Sequence, residues 1–455
     1  MFKTINPATG EELNTFPTLT REQVNTHIKR AEDAYAAWSK ITVAQRTEAI
    51  RRLADLLLDE KAQLSKTITM EMGKPLVQAE GEIEKCAWLC RFYANHAASF
   101  LQPEPVEAGY KKSYVRYDPL GIVLGIMPWN FPFWQAFRYA VPALLAGNTV
   151  VLKPAPNVPQ CGRHIERLLA KAIPEPYAFQ TLFLDTEHVE DVIVHEMVQG
   201  VALTGSDRAG SAVAALAGKH LKKCVMELGG SDAFVVLDDA DVQAAAQMAV
   251  KSRMNNSGQT CIAAKRFIAV ASVYDEFVAA VLEQIQKLKV SSPLAQDCDI
   301  GPLARPDLRQ NLARQVEESV ARGARILYAA EQPLPQHSCF FAPVVLTDIA
   351  SGSPAYDEEL FGPVVCMFRV SNEQEAIALA NDTKYGLGAA VWSSDIARAE
   401  QVAGAIRAGA ISINGMVKSD PHLPFGGVKQ SGFGRELGQD GIREFVNVKS
   451  IVVNG

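Results

Sequence analysis

The chain has no unbroken apolar run long enough to span a bilayer. Its most apolar stretch, Gly121 to Leu152, is interrupted by Pro128, Asn130, Pro132 and Arg138, with Gly125 and Gly147 as turns. A lipid-exposed helix would not carry that combination, and no membrane partner is expected. There is no CxxC, and the eight histidines show no HxxxH, HExxH or HxH spacing, so no metal is expected. No long basic run occurs, which argues against nucleic acid. Repeats and low-complexity segments are lacking as well. Met1 to Glu12 has no signal layout, so a cytoplasmic protein with reduced thiols is the expectation. The eight cysteines are scattered; most should be buried small hydrophobes, and at most one or two reactive.

What is present describes a globular chain. Its 455 residues are 48% hydrophobic and 21% charged, with formal net charge −6. That length exceeds one hydrophobic core and predicts two large domains with a small appendage. The first hundred residues read as mostly helical: Arg21 to Lys40 with Thr20 as N-cap, Val43 to Met72, and Leu76 to Phe100. Gly109 to Tyr117 reads as an exposed strand. From Pro119 strands alternate with helices: strands at Gly121–Met127, Thr149–Lys153 and Gly200–Thr204, helices at Ala136–Ala146, Pro159–Ala172 and Asp207–Lys219. A second such series opens with a strand at Cys224–Glu227 and continues to Ala410–Ile413. Each series predicts a parallel sheet with crossover helices. The tail, Val446 to Val453, reads as a strand whose partner lies elsewhere in the chain or in another subunit.

Several residues could carry chemistry, each with a plainer alternative. Cys261 ends the polar stretch Asn255-Asn256-Ser257-Gly258-Gln259-Thr260. A thiol there, beside backbone N–H groups, is placed to become a thiolate; a bystander cysteine is the alternative. Glu227 closes an apolar strand, where a carboxyl can be raised into a general base, or can be a surface charge. Asn130, in Pro128-Trp129-Asn130-Phe131-Pro132, can donate to an oxyanion or satisfy its own turn. The strand ending at Thr204 runs into Gly205, Ser206 and a helix containing Gly210. That order suits dinucleotide phosphates, and equally an ordinary glycine turn with Ser206 as N-cap. Lys153 ends a strand at the sheet edge where nucleotides bind. Asp238, Asp239 and Asp241 precede a helix, which capping explains better than a metal.

Together these segments resemble the aldehyde dehydrogenase superfamily. The resemblance runs from about Pro7 to Phe445. It rests on the Pro128–Pro132 segment, Gly147–Pro154, Thr204-Gly205-Ser206, Glu227-Leu228-Gly229-Gly230, Gly258–Cys261, Glu359–Pro363 and Pro424–Lys429, in that order. It implies an α/β fold: a Rossmann-type cofactor domain (residues 1–105 and 119–227), an α/β catalytic domain (228–417) and a small β oligomerisation element (106–118 and 441–455), assembled as homodimers or homotetramers. It implies that Cys261 attacks an aldehyde, that Asn130 holds the oxyanion, and that Glu227 activates water to release the acid from a thioester. Trp129, Lys153, Pro156, Gly205, Ser206, Gly210, Leu228, Gly229, Glu359 and Phe361 would form the site for NAD or NADP.

Within the superfamily the chain looks like the short bacterial succinate-semialdehyde dehydrogenases. Arg138, eight residues after Asn130, and Ser419 would meet the substrate carboxylate; a surface helix arginine is the alternative for Arg138. Asn255 stands where some of those enzymes have a second arginine. Pro156 stands where many NAD-preferring relatives have a glutamate, so it neither repels nor binds a 2′-phosphate; the expectation leans to NAD with dual use open. The alternatives are an enzyme for glutarate semialdehyde or a neutral aliphatic aldehyde, and an inactive scaffold.

Overall fold

A computed structural model describes residues 1–331 and 339–455. The N-terminal helices form where the pattern demands. Thr20 caps Arg21–Trp38 through a capping box with Gln23, and Val24, Ile28, Ala31 and Trp38 are buried along one stripe. Leu76–Phe100 has the expected bounds. The expected helix from Val43 to Met72 is in fact two, Val43–Asp59 and Lys61–Met72. They part at Glu60, whose carboxylate is drawn to Arg167 and Lys171 on the helix Pro159–Ala172. Those cations hold it near about 2. A hairpin of Phe2–Ile5 and Glu12–Phe16, for which the sequence reading named no element, precedes the helices. Phe2 and Phe16 of that hairpin close on Phe183.

A six-stranded sheet has the order Gly432–Phe433, Lys223–Glu227, Val198–Thr204, Ile122–Met127, Thr149–Pro154, Phe179–Thr181. All neighbours are parallel except the first pair. The strand at Cys224–Glu227 therefore corrects the sequence reading: it pairs with Val198–Thr204 here, not in the second sheet. From Ile122–Met127 the chain crosses to Thr149–Pro154 on one side and then returns to Val198–Thr204 on the other. The gap between those two crossovers is a topological switch point, where open α/β sheets bind ligands.

A seven-stranded sheet has the order Arg325–Ala329, Val344–Thr347, Val364–Val370, Ala264–Val270, Asp232–Val236, Gly388–Trp392, Ala410–Ile413. It is parallel but for its first, antiparallel edge pair. The central strands are buried on both faces and correspondingly apolar. The C-terminal strand Val446–Val453 pairs antiparallel with Lys112–Pro119 over eight residues, so its partner lies in the same chain. Glu104–Pro105 completes that three-stranded sheet. Among the described residues no helix is long and apolar enough to cross a membrane.

Candidate active site

The segment before Cys261 is wound tightly. Asn256, Ser257 and Gly258 all adopt left-handed backbone, with φ of 54°, 55° and 77°. Two consecutive non-glycine residues in that region are costly and persist only where surroundings hold them. At Gly258 a side chain is impossible besides, since a Cβ would sit 2.4 Å from the Gly362 carbonyl. The holding is extensive. Ser257 Oγ donates to Gly301 O and accepts from Gly301 N, both at 3.0 Å. The buried Arg253 guanidinium donates to the carbonyls of Gly258, Leu360 and Gly362. Lys265 Nζ donates to Thr260 O at 3.0 Å and Cys261 O at 2.7 Å.

Asn130 is oriented rather than free. Gln135 Nε2 donates to its Oδ1 at 3.0 Å, which turns the amide so that Nδ2 donates to Gln259 O at 2.9 Å. One N–H is thereby left for another acceptor. Asn256 Nδ2 donates to Asn130 O at 2.8 Å, tying this loop to the cysteine loop. The helix Pro132–Ala146 that follows is anchored by Glu82. Its Oε1 accepts from the N–H of Phe133 and Trp134, and its other oxygen is paired with the buried Lys74.

Two cavities meet at Cys261. One, of 350 Å³, runs past Glu82, Lys85, Trp134, Arg138, Ser419 and Phe425. The other, of 230 Å³, opens at the switch point past Trp129, Asn130, Thr204, Gly205, Ser206, Leu228, Gly229, Glu359 and Phe361. Cys261 and Gln135 line both. Burial pushes the Cys261 thiol up to about 12, against the pull of Arg138 and Lys265. The polar neighbourhood in sequence had suggested a thiolate; in the fold Asn256, Ser257, Gln259 and Thr260 are spent on backbone groups of this loop and of its neighbours.

Around the smaller cavity, Trp129 meets Phe361 edge-on, centroids 5.8 Å apart. Glu359 accepts from Gly230 N at 3.1 Å and pairs with Lys265 at 3.2 Å. Ser206 caps the helix Asp207–Lys219 by accepting from Ala209 N. Gly210 lies one step further, in an adjoining 440 Å³ hollow that shares Leu228. A Cβ on Gly210 would come within 2.4 Å of the Leu228 side chain. Lys153 is buried off both cavities, its Nζ making one long contact, 3.4 Å to Pro154 O. Burial lowers its pKa. Pro156 is exposed, while next to it Asn157 is buried with neither amide atom bonded. A capped helix N-terminus, a glycine without room for a side chain and an orphaned amide at the carboxyl edge of the sheet fit a dinucleotide.

Arg138 is not a surface residue. It is 3% exposed and lines the larger cavity. Its Nε lies 2.7 Å from Glu436 Oε2, close in distance but off-line for a hydrogen bond. Glu227 does not line either cavity. It is 2% exposed with both oxygens unbonded, against Gly426. Burial, and then Glu436, hold its pKa well above the usual carboxylate range, with Arg138 and Arg435 opposing. Ser419 Oγ accepts from Lys85 Nζ at 2.8 Å and from Trp134 Nε1 at 3.1 Å. Sequence reasoning missed Glu82, Lys85, Gln135, Arg253, Lys265 and Glu436, charges and amides that read as ordinary helix, strand or loop positions until the fold brings their partners together. Asp241 caps the helix Val242–Met254, as its position suggested.

Residues 1–451 match the family model described as "Aldehyde dehydrogenase family". A protein of Synechocystis, named a probable succinate-semialdehyde dehydrogenase of the NADP(+) type, is 46% identical over 98% of both chains. The succinate-semialdehyde dehydrogenase (NADP(+)) 1 of Mycobacterium tuberculosis is 45% identical over 98% of both. The solved structure of succinic semialdehyde dehydrogenase from Streptococcus pyogenes with NADP+ superposes with a TM-score of 0.97 at 35% identity, covering both chains fully. This chain belongs to the aldehyde dehydrogenase family.

Proposed function

We propose that the protein oxidises succinate semialdehyde to succinate with NADP, through a covalent intermediate on Cys261. One observation carries the reading: Cys261 sits at the junction of two cavities, one at the sheet's switch point and one walled by buried charge. The aldehyde enters past Arg138 and Ser419, and the dinucleotide lies along Trp129, Gly205, Ser206, Leu228, Gly229, Glu359 and Phe361, with Lys153, Pro156 and Gly210 at its far end. Bound there, the nicotinamide supplies a hydride acceptor. Cys261 Sγ adds to the carbonyl carbon once its proton is lost, and the free N–H of Asn130 meets the oxygen that gains charge. The raised thiol suits a site in which substrate and cofactor complete the electrostatics. Glu227 is the base for the hydrolytic half. In its carboxylate form, made more basic by burial, it takes a proton from the water that adds to the thioester carbonyl.

The cofactor reading reverses the lean towards NAD. The relatives named above carry NADP(+) in their names, and Pro156 offers no carboxylate to repel a 2′-phosphate. Residues 1–105 and 119–227 form the cofactor unit, 228–417 the catalytic unit, and 106–118 with 441–455 the element that joins subunits into dimers or tetramers.

The Arg138–Glu436 pair favours one competitor, a neutral short aldehyde, because the arginine's charge is already matched. Assay of succinate semialdehyde, glutarate semialdehyde and butanal with NAD and NADP separately decides. The expected result is the highest kcat/KM for succinate semialdehyde with NADP. Equal values for butanal would overturn the substrate, and a preference for NAD would overturn the cofactor.

A further inference from the structure

We propose that Lys85 is a second cation, besides Arg138, that selects the substrate, seating the carboxylate of the short acid aldehyde between its ammonium and the Ser419 hydroxyl. This rests on the acid-aldehyde reading of the larger cavity and goes beyond it by adding the cation that holds the carboxylate.

Four charged side chains line that cavity: Glu82, Lys85, Arg138 and the exposed Lys418. Glu82 is consumed by Lys74 and two helix N–H groups. Arg138 faces Glu436. Lys85 has no carboxylate within salt-bridge distance among the described residues. Its Nζ lies 4.1 Å over the Trp134 ring and gives one of its three N–H groups to Ser419 Oγ.

Ser419 makes the arrangement specific. Its oxygen accepts from both Lys85 and Trp134, so both lone pairs are used and its hydrogen remains to be given away. Lys85 and Ser419 thus present only donors to the cavity. A group made only of acceptors, with negative charge, completes them, and a carboxylate is that group. Cys261 lines the same cavity, so an aldehyde carbon and a carboxylate can be held together when a short chain joins them.

Burial lowers the Lys85 pKa to about 8, and Arg138 adds to the lowering; Cys86, Glu82 and Asp420 oppose it. The ammonium is therefore present below about pH 8 and lost above it. Preference for an acid aldehyde should fall over that window.

The experiment measures kcat/KM for succinate semialdehyde and butanal at saturating NADP. It compares the native enzyme, Lys85→Met and Lys85→Arg across pH 6.5 to 9.5, windows of roughly one to two pH units around the lysine. Taking the ratio of the two substrates cancels titration of Cys261 and Glu227. Lys85→Met should lower the acid aldehyde's value by about 30-fold and butanal's by less than about threefold. Lys85→Arg should keep most of the preference. The native ratio should decline above about pH 8, and the Lys85→Met ratio should be flat. Equal losses for both substrates in Lys85→Met, or an acid preference that survives there, would overturn the role of Lys85 alone. A native enzyme with no preference for the acid aldehyde would overturn the substrate reading and this inference with it. Should Lys85→Met fail to fold, a native ratio constant through pH 9.5 would be enough to reject the proposal.

Discussion

The two cavities that meet at Cys261 are built from different materials. The one at the switch point is walled by backbone, aromatic rings and neutral hydroxyls, with Glu359 as its single charged residue, and that carboxylate is tied to Lys265. The other carries Glu82, Lys85 and Arg138 deep in its wall. A long ligand such as a dinucleotide is gripped by many modest contacts along its length. A short aldehyde offers few atoms, so discrimination must come from one or two desolvated charges, which are worth far more there than at a surface. Substitutions on the first side should therefore slow every aldehyde alike, and substitutions on the second should separate acid from neutral substrates.

The most damaging test of that division is at the shared point. Cys261→Ala should cost more than about a thousandfold in kcat for both succinate semialdehyde and butanal, and abolish the pre-steady-state burst of reduced cofactor. Glu227→Gln should leave that burst and slow the steady state by about 10² to 10⁴; loss of the burst would place Glu227 before the thioester. Asn130→Ala should lower kcat by about 10² to 10³ for both aldehydes equally, measured by steady-state rates. An unequal loss would move Asn130 from the neutral side to the selecting side.

On the charged side, Arg138→Met should cost the acid aldehyde about 1–3 kcal/mol more than butanal. The substitution also leaves Glu436 buried without its counter-charge, a cost that both substrates share. Comparison of the two kcat/KM values checks it, and equal losses would assign Arg138 to structure. The smallest effect is expected at the far end of the cofactor cleft. Pro156→Glu should reduce kcat/KM for NADP by about tenfold through like-charge repulsion while NAD changes less; parallel changes would put residue 156 away from the 2′-phosphate.

Much of the frame was legible because it is local. Thr20 and Gln23 announce a helix start three residues apart, and the alternation of apolar strands with helices from Pro119 needs no distant information. The break at Glu60 left no mark in the apolar pattern, and the partners of its carboxylate, Arg167 and Lys171, lie more than a hundred residues away. The strand at Lys223–Glu227 was assigned to the wrong sheet since strand order is a tertiary fact. Cys261, Asn130 and the residues beside them could be singled out as ordered segments. The electrostatics could not: burial, not neighbouring residue type, sets the Cys261 thiol. Likewise, nothing near Arg138 in sequence points to Glu436. Three of the four charges that wall the larger cavity come from helices 76–100 and 132–146, where they resemble ordinary solvent-facing positions until the fold encloses them.

The Lys223–Glu227 strand takes its outer neighbour from Gly432–Phe433, and Asn148, just before the strand at Thr149, gives its amide hydrogen to Phe445 O at 2.8 Å. Val446–Val453 then zips onto Lys112–Pro119. Residues 432–453 thus bolt shut an interior laid down hundreds of residues earlier in the chain. A chain cut before residue 432 would lose at one stroke the outer neighbour of the strand that carries Glu227 and the carbonyl that holds Asn148.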